Sequence, residues 1–151
     1  MAENSLKKQV FDQLKTTVDG RMQAAWDAMQ DAQASANEES KSSAGDKYET
    51  ARAMGQLDRD MYARQYEQAR QERQILDRMD EATFPRIGLG ALVSTSVGWF
   101  AVSVSAGAMT VSGQKIIAVS PQSPIGALLM GKQVGETFVF GGKSAAVLEI
   151  G

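Results

Sequence analysis

The sequence predicts an α+β chain: an antiparallel two-helix coiled-coil hairpin over residues 1–82, followed by a small β-sheet domain with one short helix over residues 83–151. Three observations predict it. Apolar and small residues recur every three or four positions on both sides of a serine-rich break near residue 42. Charge thins abruptly after Pro85, residues 1–84 carrying 12 basic and 16 acidic side chains and residues 85–151 only 4 and 2. Beyond Ile87, valines and threonines alternate with serines, and glycines punctuate the run.

Phe11, Leu14, Val18, Met22, Ala25, Met29, Ala32 and Ala36 lay one stripe along the first helix, and Ala51, Met54, Leu57, Met61, Tyr62, Tyr66, Ala69, Leu76 and Met79 lay a looser one along the second. Each run is about 35 residues, or roughly 50 Å of helix. Equal lengths around a short break indicate antiparallel pairing. A seam of Ala and Met is thin, which suits two helices that clasp each other; a self-assembling coiled-coil structural protein is the competing reading. Pro85 ends the second helix and sets the domain boundary within residues 81–86.

Beyond that boundary, strands are expected near 90–96, 99–105, 108–112 and 115–119. A short helix follows at 123–130, and then a hairpin of residues 136–140 and 143–150 turning at Gly141-Gly142. Ser123 followed by Pro124 is a helix start, with serine as N-cap and proline at the first helical position. Trp99, Phe100, Phe138 and Phe140 are the aromatic candidates for the core or a face of the sheet. The uncharged run from Ile87 to Gln114 approaches the hydropathy of a membrane span, but its period-two pattern favours half-buried strands.

The 151 residues, 43% hydrophobic and 23% charged, have the composition of a folded soluble protein. There is neither cysteine nor histidine, which excludes disulfide frameworks, thiolate or imidazole metal sites and histidine-dependent triads. Any metal must be a hard, oxygen-bound cation. Lys and Arg are not clustered as an autonomous nucleic-acid binder requires. No apolar signal-peptide core follows the N-terminus, so the expected location is cytoplasmic.

Asp46-x-x-Glu49 stands at the start of the second helix, at the acidic tip near residues 38–50 that also holds Glu38 and Glu39. As a bare motif it matches a capping box, Asp46 capping and Glu49 reaching back. It also places two carboxylates on one helix face, a typical protein contribution to a Mg²⁺ completed by waters and a partner's ligands.

The stretch Gly45-Asp46-Lys47-Tyr48-Glu49-Thr50-Ala51 resembles the G-D-x-x-E-N-A motif at the coiled-coil tip of Gre-type transcript cleavage factors. SPQSPIGALLMGKQVGETFVFGGKSAAVLEI, residues 120–150, resembles the C-terminal domain of GreA and GreB, with its S-P dipeptide, A-L-[LM]-G-K helix, V-G-[DE] and closing L-E-I. The likeness is nearest to the short Gre-like proteins of Bacteroidetes. It implies an FKBP-like second domain and a factor that enters the secondary channel of bacterial RNA polymerase. There Asp46 and Glu49 would help hold a Mg²⁺ shared with the polymerase, none being tightly bound by the factor alone, and promote cleavage of backtracked RNA.

On this resemblance the polymerase remains the enzyme, Gln122, Ser123 and Pro124 are the docking candidates, and the factor acts as a monomer that meets nucleic acid only inside the complex, without a membrane. Thr50 stands where the family has Asn, Ala53 where it has a later Tyr, and Gln122 where GreB-like members are acidic. A relative that enters the channel and modulates or inhibits transcription without cutting RNA is the alternative.

Overall fold

The computed structural model describes residues 2–42, 46–79 and 82–151. Helix α1 spans Ala2–Ser42 and helix α2 spans Asp46–Asp77. Six strands and one short helix follow: β1 Leu92–Thr95, β2 Gly98–Val102, β3 Gly107–Val111, β4 Gln114–Val119, α3 Pro124–Leu129, β5 Thr137–Phe140 and β6 Lys143–Ile150. The α+β class and the order of elements are those the sequence predicts. The chain divides into two compact units, one of Met1–Lys15 with Gln74–Gly151 and the other of Thr16–Arg73.

The helical unit is an antiparallel pair. Asp19 accepts from Arg73 Nε at 2.8 Å, Arg21 lies 3.9 Å from Glu72, and the Trp26 and Tyr66 rings sit 5.6 Å apart. Each step up α1 is matched by a step down α2, as antiparallel packing requires. Among its described residues Val18, Ala25, Met29, Ala36 and Ala69 are the buried apolar ones. On its surface Arg70 donates two hydrogen bonds to Glu67, and these hold the Glu67 carboxyl below the usual range, though solvent screens the pair.

Two glycines in these helices differ in what a side chain would meet. A Cβ on Gly20 meets nothing within 4 Å, whereas a Cβ on Gly55 falls 2.9 Å from Ala36 Cβ, an atom fixed to its backbone. Gly20→Ala therefore raises stability by about 0.5–1 kcal/mol, the ordinary helix gain. Gly55→Ala has the same intrinsic gain but forces the helices apart, and overpacking of about 1–3 kcal/mol makes it net destabilising. Opposite shifts of the urea midpoint check both.

In the other unit the six strands form one sheet in the order β3-β4-β2-β1-β6-β5. Neighbours are antiparallel except β2 and β4, which run parallel with Trp99 opposite Ile116 and Val102 opposite Val119. One face presents Val93, Phe100, Val102, Val119, Phe138, Ala145 and Val147 to Ile125 and Leu129 of α3, and this is the core. Phe100 and Phe138 belong to it, Trp99 is half-buried on the opposite face, and Phe140 is exposed.

That opposite face is covered too. Leu6 of α1 lines a small crevice with Leu92 and Trp99, and Gln9 accepts from Ser112 Oγ at 2.6 Å. Consequently β1 is buried on both faces, where the serine alternation predicts a half-buried strand. The buried Thr95 hydroxyl finds local partners: Oγ1 donates to the Gly98 carbonyl at 2.7 Å and accepts from Val97 N–H at 3.2 Å. Ser103, also buried, donates to the Ala101 carbonyl. The run from 87 to 114 is thus a set of strands, and no described helix is long and apolar enough to cross a membrane.

One charged side chain is part of this unit's interior. Lys7 is 1% exposed; its Nζ donates to the Ala82 carbonyl and lies 4.8 Å from the Phe84 ring centroid and 6.0 Å from that of Phe11. Backbone acceptor and aromatic faces together give the ammonium substitutes for water.

Candidate functional site

Sequence reasoning singles out two places, the start of α2 and the start of α3. The second is described in full. Ser123 has extended backbone (φ −69°, ψ 158°), and its hydroxyl accepts from Gly126 N–H at 3.1 Å while donating to the Ser120 carbonyl at 2.7 Å. Pro124 occupies the first helical turn, where its missing N–H costs nothing. Ser123 N–H donates to the same Ser120 carbonyl at 3.1 Å, so the turn leaving β4 and the cap of α3 share one acceptor.

These bonds determine what the three docking candidates can offer. Ser123 is half-buried and has committed its single hydroxyl proton to Ser120, leaving only lone-pair capacity for a partner. Gln122 and Pro124 are exposed, and Pro124 shares a helix face with exposed Ala127 and Leu128, three and four residues on. Pro124 and Leu128 share this exposed helix face, and Gln122 is exposed in the serine-capped turn that precedes it. Leu128 was not singled out by the sequence, because a Leu in a short apolar helix reads as core.

Gly126 is the other residue that sequence reasoning missed. A Cβ there would lie 1.9 Å from the Ser120 carbonyl oxygen and 2.9 Å from Ser123 Oγ. Only glycine lets the helix pass that close to the turn. The far end of α3 is also pinned: Gly131 N–H donates to the Ile87 carbonyl at 2.7 Å, and Ile87 N–H to the Lys132 carbonyl at 2.8 Å.

At the other place, α1 ends at Ser42 and α2 begins at Asp46, so Asp46 and Glu49 stand in the first turn of α2. Their side chains, and those of Glu38 and Glu39, lie outside the described residues, as does Gly45. The capping-box and Mg²⁺ readings of Asp46-x-x-Glu49 both fall there. Among the described residues no group of three or more His, Cys, Asp or Glu is placed to hold a metal ion. Two carboxylates in one turn are a hard-oxygen donor set suited to Mg²⁺ and too few to hold it alone.

The chain is therefore of a definite class: a long antiparallel helical hairpin with an acidic turn opening its second helix, and a mixed six-stranded sheet with one capped helix. No family model and no curated protein sequence matches it. Solved structures similar to it include one of the transcription factor Gfh1 and one of the GreA factor homolog 1 (Gfh1) protein of Thermus thermophilus. Both are 20% identical with a TM-score of 0.36; the first pairs 90% of this chain with 92% of its own, the second 91% with 94%. The likeness is loose.

Proposed function

We propose that this protein is a Gre-type factor that binds bacterial RNA polymerase through its secondary channel and stimulates the polymerase's own cleavage of backtracked RNA. The observation that carries the reading is the agreement of motif with element. The segment resembling the Gre C-terminal domain, residues 120–150, forms a serine-capped helix followed by a closing hairpin, and Asp-x-x-Glu opens the second of two long helices.

In this reading Gln122, Pro124 and Leu128 meet the polymerase, and Ser123 holds the turn that presents them. Asp46 and Glu49 lie one turn apart on one helix face, so both carboxylates can reach a single cation. They supply two of the oxygens that help retain a Mg²⁺ completed by the polymerase. Bound there, the ion supplies activation of a water and stabilisation of the leaving oxygen in phosphodiester hydrolysis. The chain contributes ligands and the polymerase contributes the rest of the active site.

The test is an RNA cleavage assay on backtracked polymerase complexes with the Asp46→Asn, Glu49→Gln double variant. Asn caps about as well as Asp, and Gln replaces Glu in a capping box, so the hairpin stays folded by circular dichroism while both negative ligands are lost. Cleavage is expected to fall to the rate of polymerase alone with binding retained. Undiminished cleavage reduces Asp46-x-x-Glu49 to a helix start. Thr50, Ala53 and Gln122 favour a second reading, a channel-binding regulator without cleavage. It predicts that the wild-type protein binds polymerase and changes elongation without stimulating RNA cutting.

A further inference from the structure

The helical unit buries little, yet it exposes a large apolar ridge. Met54, Leu57 and Met61, spaced three and four apart on α2, are 60%, 64% and 37% exposed. Side chains at these steps stand on one helix face. Directly beyond Met61, away from the start of α2, the same side of the hairpin is hollow. A groove of about 680 Å³ runs between the helices over Ala24, Ala25, Ala28 and Ala69, with Met61 at one end. The large aliphatic side chains stand in one half of this face, and in the other alanines line the groove among Tyr62, Gln65 and Gln68, with Met61 at the junction.

From this arrangement we propose that the helical unit pairs reversibly with a second copy of itself. A two-fold axis perpendicular to α2 near Met61 lays the ridge of one copy into the groove of the other, and the reverse. An isologous contact requires that self-complementarity, and a ridge entering a groove is how helices pack. The charges permit it. Arg21, Arg64, Asp58 and Glu72 border the face, two of each sign, so a facing copy meets no net like charge.

The pairing itself does not depend on what the monomer does; its regulatory consequence rests on the channel-binding reading. The paired form covers the middle of the hairpin, so it cannot thread that segment into a narrow channel, and dilution releases it. The polymerase reading can fail while this pairing stands, and the reverse.

The test uses the full chain alone. Sedimentation velocity over a wide concentration range should show the mass rising from one chain toward two. Leu57→Glu, at an exposed position that leaves helicity unchanged, should weaken pairing about tenfold or more, as for an interface anchor. The chain has no cysteine, so Met61→Cys introduces one thiol next to the proposed axis, where it meets its own copy. Mild oxidation should give a covalent dimer with this variant and none with Gln71→Cys, which is exposed on another face. A single-chain mass at every concentration overturns the proposal. So does a dimer that Leu57→Glu leaves intact, or one that crosslinks equally from position 71.

Discussion

Gly126→Ala lowers the unfolding free energy by about 3 kcal/mol, read as a fall in the urea midpoint at unchanged slope. The added methyl has nowhere to go. Its ideal position is 1.9 Å from the Ser120 carbonyl oxygen, far inside an ordinary carbon–oxygen contact, and the obstacle is backbone. That oxygen already accepts from Ser123 N–H and Ser123 Oγ, so moving it breaks the turn that joins β4 to α3. Moving the helix instead withdraws Ile125 and Leu129 from the core. The usual helix preference for Ala over Gly, about 1 kcal/mol, is too small to offset either. Ser123→Ala, which deletes the cap without a collision, costs only about 1 kcal/mol. The ordering of the two variants separates collision from capping.

Lys7→Ala is the second large effect, a loss of about 3 kcal/mol by the same measurement, because it empties a fully buried position. The companion variant is Lys7→Met, which keeps an unbranched stem of similar length and removes the charge. It should cost less than about 1.5 kcal/mol, since the volume is conserved and exposed Ala82 can offer its carbonyl to water. If methionine is as damaging as alanine, the bond to Ala82 and the Phe84 ring outweigh the packing of the stem.

These residues also mark where sequence reasoning ends. The strands were legible because their signals are local: β3 to β6 fall within a residue or so of the expected ranges, fixed by Gly113 and the Gly141-Gly142 turn. β2 ends at Val102 rather than 105, since the chain bends at Ser103 to begin the route that sets β4 parallel to β2. The Ser123-Pro124 helix start was equally plain, because a cap acts over three residues. Lys7, Gly55 and Gly126 were not legible. A lysine reads as solvated surface until an aromatic ring and a carbonyl from the far side of α2 close over it. A helical glycine reads as a weak point until another backbone is seen against it. The tip differs again: capping box and ligand pair use the same two residue types at the same spacing, so local pattern alone cannot choose.

The place of β1 in the sheet has a consequence for synthesis. β1 lies between β2 and β6, with Val93 opposite Ile150 and Ser94 opposite Glu149. A ribosome delivers β1 and β2 well before β6, so one edge of the central strand stays open until residues 143–150 emerge. The helical unit, Thr16–Arg73, has both halves available earlier. Vectorial synthesis therefore favours hairpin first and sheet last, and a nascent chain interrupted before Lys143 exposes a hydrophobic strand edge of the kind that chaperones bind.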